Sequence, residues 1–129
     1  MAWWDSSAAG YVENLMPIYT QEICEFREEL TWQIDILTNH PGHRKLVSEK
    51  LIRTARAMRK INGLALDISV YLPGHEFVTA ARPGYYQTTF PRVCDFIENI
   101  LIELSRALVD YTQSEESVAS QLQHLLNTM

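Results

Sequence analysis

Seven of the chain's eleven lysines and arginines fall within one short stretch: Arg44, Lys45, Lys50, Arg53, Arg56, Arg59 and Lys60. Glu49 is the one acid among them, so this stretch carries +6 while the whole chain stands at −5. Cations in this pattern recognise anions: the guanidinium fork matches the paired oxygens of a carboxylate or a phosphate. On a helix, Arg53, Arg56 and Arg59 or Lys60 are neighbours, and each like-charge pair costs an isolated helix about 0.2–0.5 kcal/mol. Glu49–Arg53 is the single favourable pair at i, i+4. Either an anionic surface lies nearby, or the face is solvated and tolerates the repulsion in salt water.

Three sources of that surface fit the sequence. The glutamates of the preceding segment, Glu22, Glu25, Glu28 and Glu29, could lie alongside. An acidic protein, or a second copy of the chain, could dock on Lys45, Arg53, Arg56, Arg59 and Lys60. A nucleic-acid backbone could follow the same residues, with salt-dependent binding and little base reading, because no recognition-helix or stacking motif accompanies them.

Other chemistry-bearing residues are less organised. His40, His43, His75 and His124 match no metal-binding spacing, and Cys24 and Cys94 form no C-x-x-C pair. No metal and no cofactor are expected. Thiols so far apart, in a chain with no secretory signal visible, point to a reducing compartment. His75, Glu76, Arg82, Tyr85 and Tyr86 gather in one connecting segment, which raises a second alternative, a small-molecule enzyme or binder with a pocket there. No phosphate loop, dinucleotide fingerprint or nucleophile elbow is present, so an enzymatic reading has no motif behind it.

The elements that must position these groups read as helices. At 100° per residue, Lys45, Arg53, Arg56, Arg59 and Lys60 take one side of a helix over 43–72, and Val47, Leu51, Ala55, Met58, Asn62 and Ala65 the other. Before it, Val12, Met16, Tyr19, Ile23, Phe26, Leu30, Ile34 and Leu37 form a near-heptad seam, predicting a helix over 11–38. Pro17 either opens its main part or sits inside one continuous helix. Thr38-Asn39-His40-Pro41-Gly42 ends it with turn chemistry, and so short a turn makes the next helix an antiparallel neighbour.

The stretch from Leu64 to Leu72 is ambiguous, because Leu64, Leu66, Ile68, Val70 and Leu72 also alternate as a strand would. A small β-meander over 64–90 is the alternative, giving an α+β fold. Residues 73–91, with Pro73-Gly74, Pro83-Gly84 and Phe90-Pro91, read as a long connector holding a short helix near 75–82. From 92 to 128 a third helix follows the seam Val93, Ile97, Ile100, Leu104, Ala107, Tyr111. It either runs through the polar stretch or breaks near 112–114, where Thr112 and Glu115 resemble a capping box.

At 129 residues, 47% apolar and 21% charged, the chain is one globular domain. The expected fold is all-α, an antiparallel bundle of three to four long helices. In the N-terminal segment, residues 1–10, Trp3 and Trp4 are candidate apolar contacts, as are Tyr85 and Tyr86 of the connector. No run is long and apolar enough to span a bilayer, so the chain reads as soluble and cytoplasmic. The function expected is that of a non-enzymatic, homodimeric interaction protein presenting the basic face 44–60 to an acidic protein. Nucleic-acid binding by the same face is the alternative.

Overall fold

A computed structural model describes the backbone of residues 3–129 and the side chains from residue 10 onward. Five helices follow one another: α1 (Trp3–Asn39), α2 (Arg44–Tyr71), α3 (Glu76–Thr79), α4 (Tyr85–Val109) and α5 (Glu115–Thr128). The fold is all-α, and no strand occurs among the described residues. α2 packs on both α1 and α4, while α5 returns to lie on α1 and touches α4 sparsely.

Each boundary has a local cause. α1 runs unbroken through Pro17, an exposed position, and starts well before residue 11. The contacts expected of the Trp3 and Trp4 side chains lie outside the described residues. Gly42, at φ +97°, closes the α1–α2 turn in a conformation that disfavours a side chain, and its N–H donates to the Glu115 carboxylate at 3.1 Å.

The strand alternative at 64–72 is overturned. Leu64, Ala65, Ile68 and Ser69 are buried whereas Leu66 and Val70 are exposed, which is helical spacing. Gly63 neither caps nor permits close packing: it is exposed, and a Cβ there would meet nothing within 4 Å.

The connector is shorter than 73–91. One helical turn, α3, is capped by His75, whose Nδ1 accepts from the Phe77 N–H at 3.1 Å. Gly84, at φ +75°, then leads into α4 seven residues earlier than expected, with Pro91 inside that helix. The third helix does break, after Val109. Tyr111 takes φ +56° and Ser114, not Thr112, caps α5 by accepting from Ser117 N–H at 3.0 Å.

The main core joins Phe26, Leu30 and Leu37 to Val47, Leu51 and Met58, to Leu101 and Leu108, and to Val118 and Leu122. Leu15, Leu64 and Ile68 form a smaller cluster at the other end. α5 stops short of that end. There Tyr19, Phe77 and Tyr86 fill the space, with Phe77 stacked on Tyr86 at 4.5 Å and Tyr19 edge-on to Phe77 at 4.9 Å.

Ser48 and Ser105 let α2 and α4 approach closely. Each hydroxyl donates to the other residue's carbonyl, at 3.1 and 2.9 Å, so neither small polar group is left unpaired in the core. The buried Gln33 donates from its Nε2 to Thr54 across α1 and α2, at 2.8 Å, while its Oε1 has no partner.

Candidate functional site

α2 carries its cations outward because its apolar column is claimed from both sides. Val47, Leu51, Ala55, Met58 and Ala65 are buried against α1 and α4, and the opposite arc, with Lys45, Arg53, Arg56, Arg59 and Lys60, is exposed. Asn62, on the apolar side, is half-buried and leaves its Oδ1 without a hydrogen-bond partner. The amphipathic division read from the sequence is thus the division in the fold.

The cations are not equivalent. Arg44 is structural: its Nε donates to the Leu108 carbonyl at 2.8 Å, its Nη2 reaches the Gln113 carbonyl, and its guanidinium lies 4.2 Å from the Tyr111 ring centre. Its bond to Leu108 satisfies a carbonyl that the end of α4 leaves open, where a cation also meets the negative end of the helix dipole. Lys50 lies over the Trp32 ring at 5.8 Å.

Arg59 and Lys60, at the lower end of the face, are each held by a neighbouring helix. Arg59 pairs with Glu98 of α4 at 2.9 Å, and Lys60 with Glu22 of α1 at 2.6 Å. The Arg59 side chain is 76% exposed but its partner's is 9% exposed, so the pair neutralises a carboxylate inside the bundle. The Glu22 carboxylate raises the Lys60 pKa through its hydrogen bond and its charge.

Lys45, Arg53 and Arg56 remain. All three are exposed, and among the described residues none forms an ion pair. Three grooves flank them, one of about 270 Å³ being lined by Lys45, Glu49, Val109 and Tyr111. Between α1 and α2, a groove of about 300 Å³ is lined by Glu22, Glu25, Glu28 and Glu29 opposite Lys50 and Arg53. Between α2 and α4, one of about 260 Å³ brings Arg56 and Arg59 together with Arg106 around Glu98. Arg106 was not among the residues singled out from the sequence. It lies 46 residues from Lys60, and only the packing of α4 on α2 adds it to the face.

Tyr85 and Phe90 of the connector line one cavity, which His75, Glu76 and Arg82 do not join. Tyr86 is buried and donates to the Phe77 carbonyl at 3.0 Å, and Tyr85 is half-buried with its ring edge-on to Tyr86 at 5.0 Å. Tyr86 serves the molecule's own packing, and Tyr85 also lines that cavity. His75 is engaged as a helix cap, and two cavities of about 840 and 590 Å³ are lined without His75 or Glu76. Among the described residues, no three His, Cys, Asp or Glu side chains converge to hold a metal, and no helix is long and apolar enough to cross a membrane.

The larger cavity is an apolar groove where α5 ends, between α1 and α4, with Tyr19, Ile23, Phe90 and Val93 on its walls and both cysteines at its edge. Burial pushes the Cys94 thiol up to about 11, so it stays protonated and inert near neutrality. Cys24 is exposed. The smaller cavity separates α4 from α5, with Phe96, Ile100, Leu104 and Leu125 on its walls.

These surfaces combine exposed cations on α2 with apolar walls along α4. Comparison of the chain with protein-family models, with curated proteins and with solved structures finds no match.

Proposed function

We propose that this chain is a non-enzymatic, self-associating helical interaction protein that presents the outer face of α2 to an acidic protein partner. The observation that carries the reading is the contrast within the basic stretch. Arg44, Lys50, Arg59 and Lys60 have partners inside the molecule, whereas Lys45, Arg53 and Arg56 are exposed without ion pairs among the described residues. Repulsion between them is relieved by an anion brought from outside.

An acidic segment of a protein fits this face better than a nucleic acid does. The glutamates of α1 form the wall beside Arg53. A phosphate backbone laid along α2 would pass that wall beside Lys50 and Arg53, and the net charge of −5 adds to the repulsion. A short acidic peptide can instead sit on Lys45, Arg53 and Arg56 and leave the α1 side empty.

The test uses the triple variant Lys45→Gln, Arg53→Gln, Arg56→Gln, which spares the paired cations. A fluorescent oligoglutamate peptide should bind the unaltered chain, less tightly as salt rises, and should bind the variant about tenfold more weakly, three exposed charges each contributing a few tenths of a kcal/mol to 1 kcal/mol. Equal binding by both proteins, or binding by neither, overturns the reading. Retention of a duplex oligonucleotide in preference to the peptide would transfer the face to nucleic acid.

A further inference from the structure

We infer that the outer stripe of α4 is the contact between two copies of this chain, packed antiparallel about a two-fold axis between Phe96 and Ile100. The inference rests on the self-association in the reading above, but not on the basic face of α2.

Three observations carry it. First, α4 keeps an apolar row outside the core: Phe96 is 65% exposed, Val93 is 39% exposed and Ile100 is half-buried. At three- and four-residue spacing these three share one side of the helix. Exposed apolar groups scattered singly need no explanation, but a contiguous row beside a groove marks an interaction surface.

Second, knob and hole lie on the same side of one chain. Phe96 projects beside the groove between α4 and α5, whose walls include Ile100, Leu104 and Leu125. A two-fold contact requires a self-complementary patch, in which residue i meets j and j meets i. With α4 antiparallel to itself, Phe96 lies opposite Ile100 of the partner subunit and enters the partner's groove, and the reverse insertion follows by symmetry.

Third, the charges at the ends of the row are of opposite sign. Arg92 stands at its start and Glu103 at its end, both exposed and without an ion pair among the described residues. The same antiparallel register brings Arg92 alongside Glu103 of the partner subunit, twice per dimer. A parallel arrangement would set like charge against like. This charge pattern favours a second copy over an unrelated apolar partner, and α4, 25 residues and about 38 Å long, offers the length such a contact needs.

Sedimentation equilibrium of the full chain tests it. The expected mass is twice 14.9 kDa at micromolar concentration. Phe96→Glu should give the single-chain mass with unchanged helicity, since the side chain is outside the core. Arg92→Glu alone should weaken dimerisation about tenfold or more, because like charges then face each other, and Arg92→Glu with Glu103→Arg should restore it. A single-chain mass for the unaltered protein at high micromolar concentration overturns the inference. So does a dimer indifferent to Phe96→Glu and to the charge reversal. Oligoglutamate binding is scored separately, so loss of the α2 reading leaves this result standing, and the converse.

Discussion

The seam between α2 and α4 and the seam between α4 and α5 use the same helix but are built differently. Against α2, α4 sets paired serines, the Arg59–Glu98 pair and a guanidinium from Arg44 on its last carbonyls, around a column that includes Ile97, Leu101 and Leu108. Against α5 it leaves a groove of about 590 Å³ and an exposed phenylalanine. α5 accounts for the difference. It has 14 residues, lies mainly on α1 and has its start tied to the α1–α2 turn through Glu115. One flank of α4 is therefore closely packed, and the other keeps an open apolar groove.

Substitutions on the two flanks should separate these roles. Leu101→Ala, facing α2, removes a side chain with no exposed area and should cost about 2–5 kcal/mol in chemical denaturation. Phe96→Ala, at protein concentrations low enough to hold the chain monomeric, should fall within about 0.5 kcal/mol of the unaltered protein. Comparable losses at both positions would erase the distinction.

Arg44→Gln tests the polar part of the tight seam. It removes the donor to the Leu108 and Gln113 carbonyls and the contact over Tyr111, and should cost about 1–3 kcal/mol. Lys45→Gln next to it in sequence should change stability by less than about 0.5 kcal/mol.

Raising pH should loosen the α1–α4 side through Cys94. Folding raises this thiol from 9.0 to about 11 by burial. The folded chain thus keeps a proton that the unfolded chain loses, so the contribution is fully present below pH 9 and drains away as pH rises to about 11. Tyr19, pushed up by burial, and Lys60, raised by Glu22, act in the same direction. Melting temperature should fall between pH 9 and 11, and Cys94→Ala should flatten part of that fall.

One substitution should give a gain. Gly63→Ala lies on the exposed side of α2, in open space, and should stabilise by about 0.5–1 kcal/mol by restricting the unfolded chain and raising helix propensity. A loss there would mean that α2 is pressed by something against that face.

Much of the architecture could be read from residue types. The turn at Pro41-Gly42, the antiparallel return of α2 and the segregation of its cations follow from turn chemistry and a 3.6-residue period. The harder cases were positions where two readings had equal local merit. Pro91 reads as a stop, yet α4 begins at Tyr85 and runs through it to Val109. Along α4, Val93, Ile100 and Ala107 compete with Cys94, Leu101 and Leu108 for the same place in the core. The structure buries Cys94, Leu101 and Leu108 and turns Val93 outward. Tyr111, read as part of the buried column, is 76% exposed beneath Arg44. Phe96 fell outside every apolar column, and a large aromatic off the seam was the one available sign of the second surface.

By itself the sequence determined that helices form, where the chain turns between α1 and α2, and that α2 has a cationic side. These depend on local dihedral preferences and side-chain period, which act within a few residues. The tertiary structure decided which cations are occupied, that Arg106 joins Arg56 and Arg59, and which flank of α4 is left open. Those outcomes depend on which helix packs against which, and residues separated by dozens of positions meet only when burial of the shared core brings their helices together.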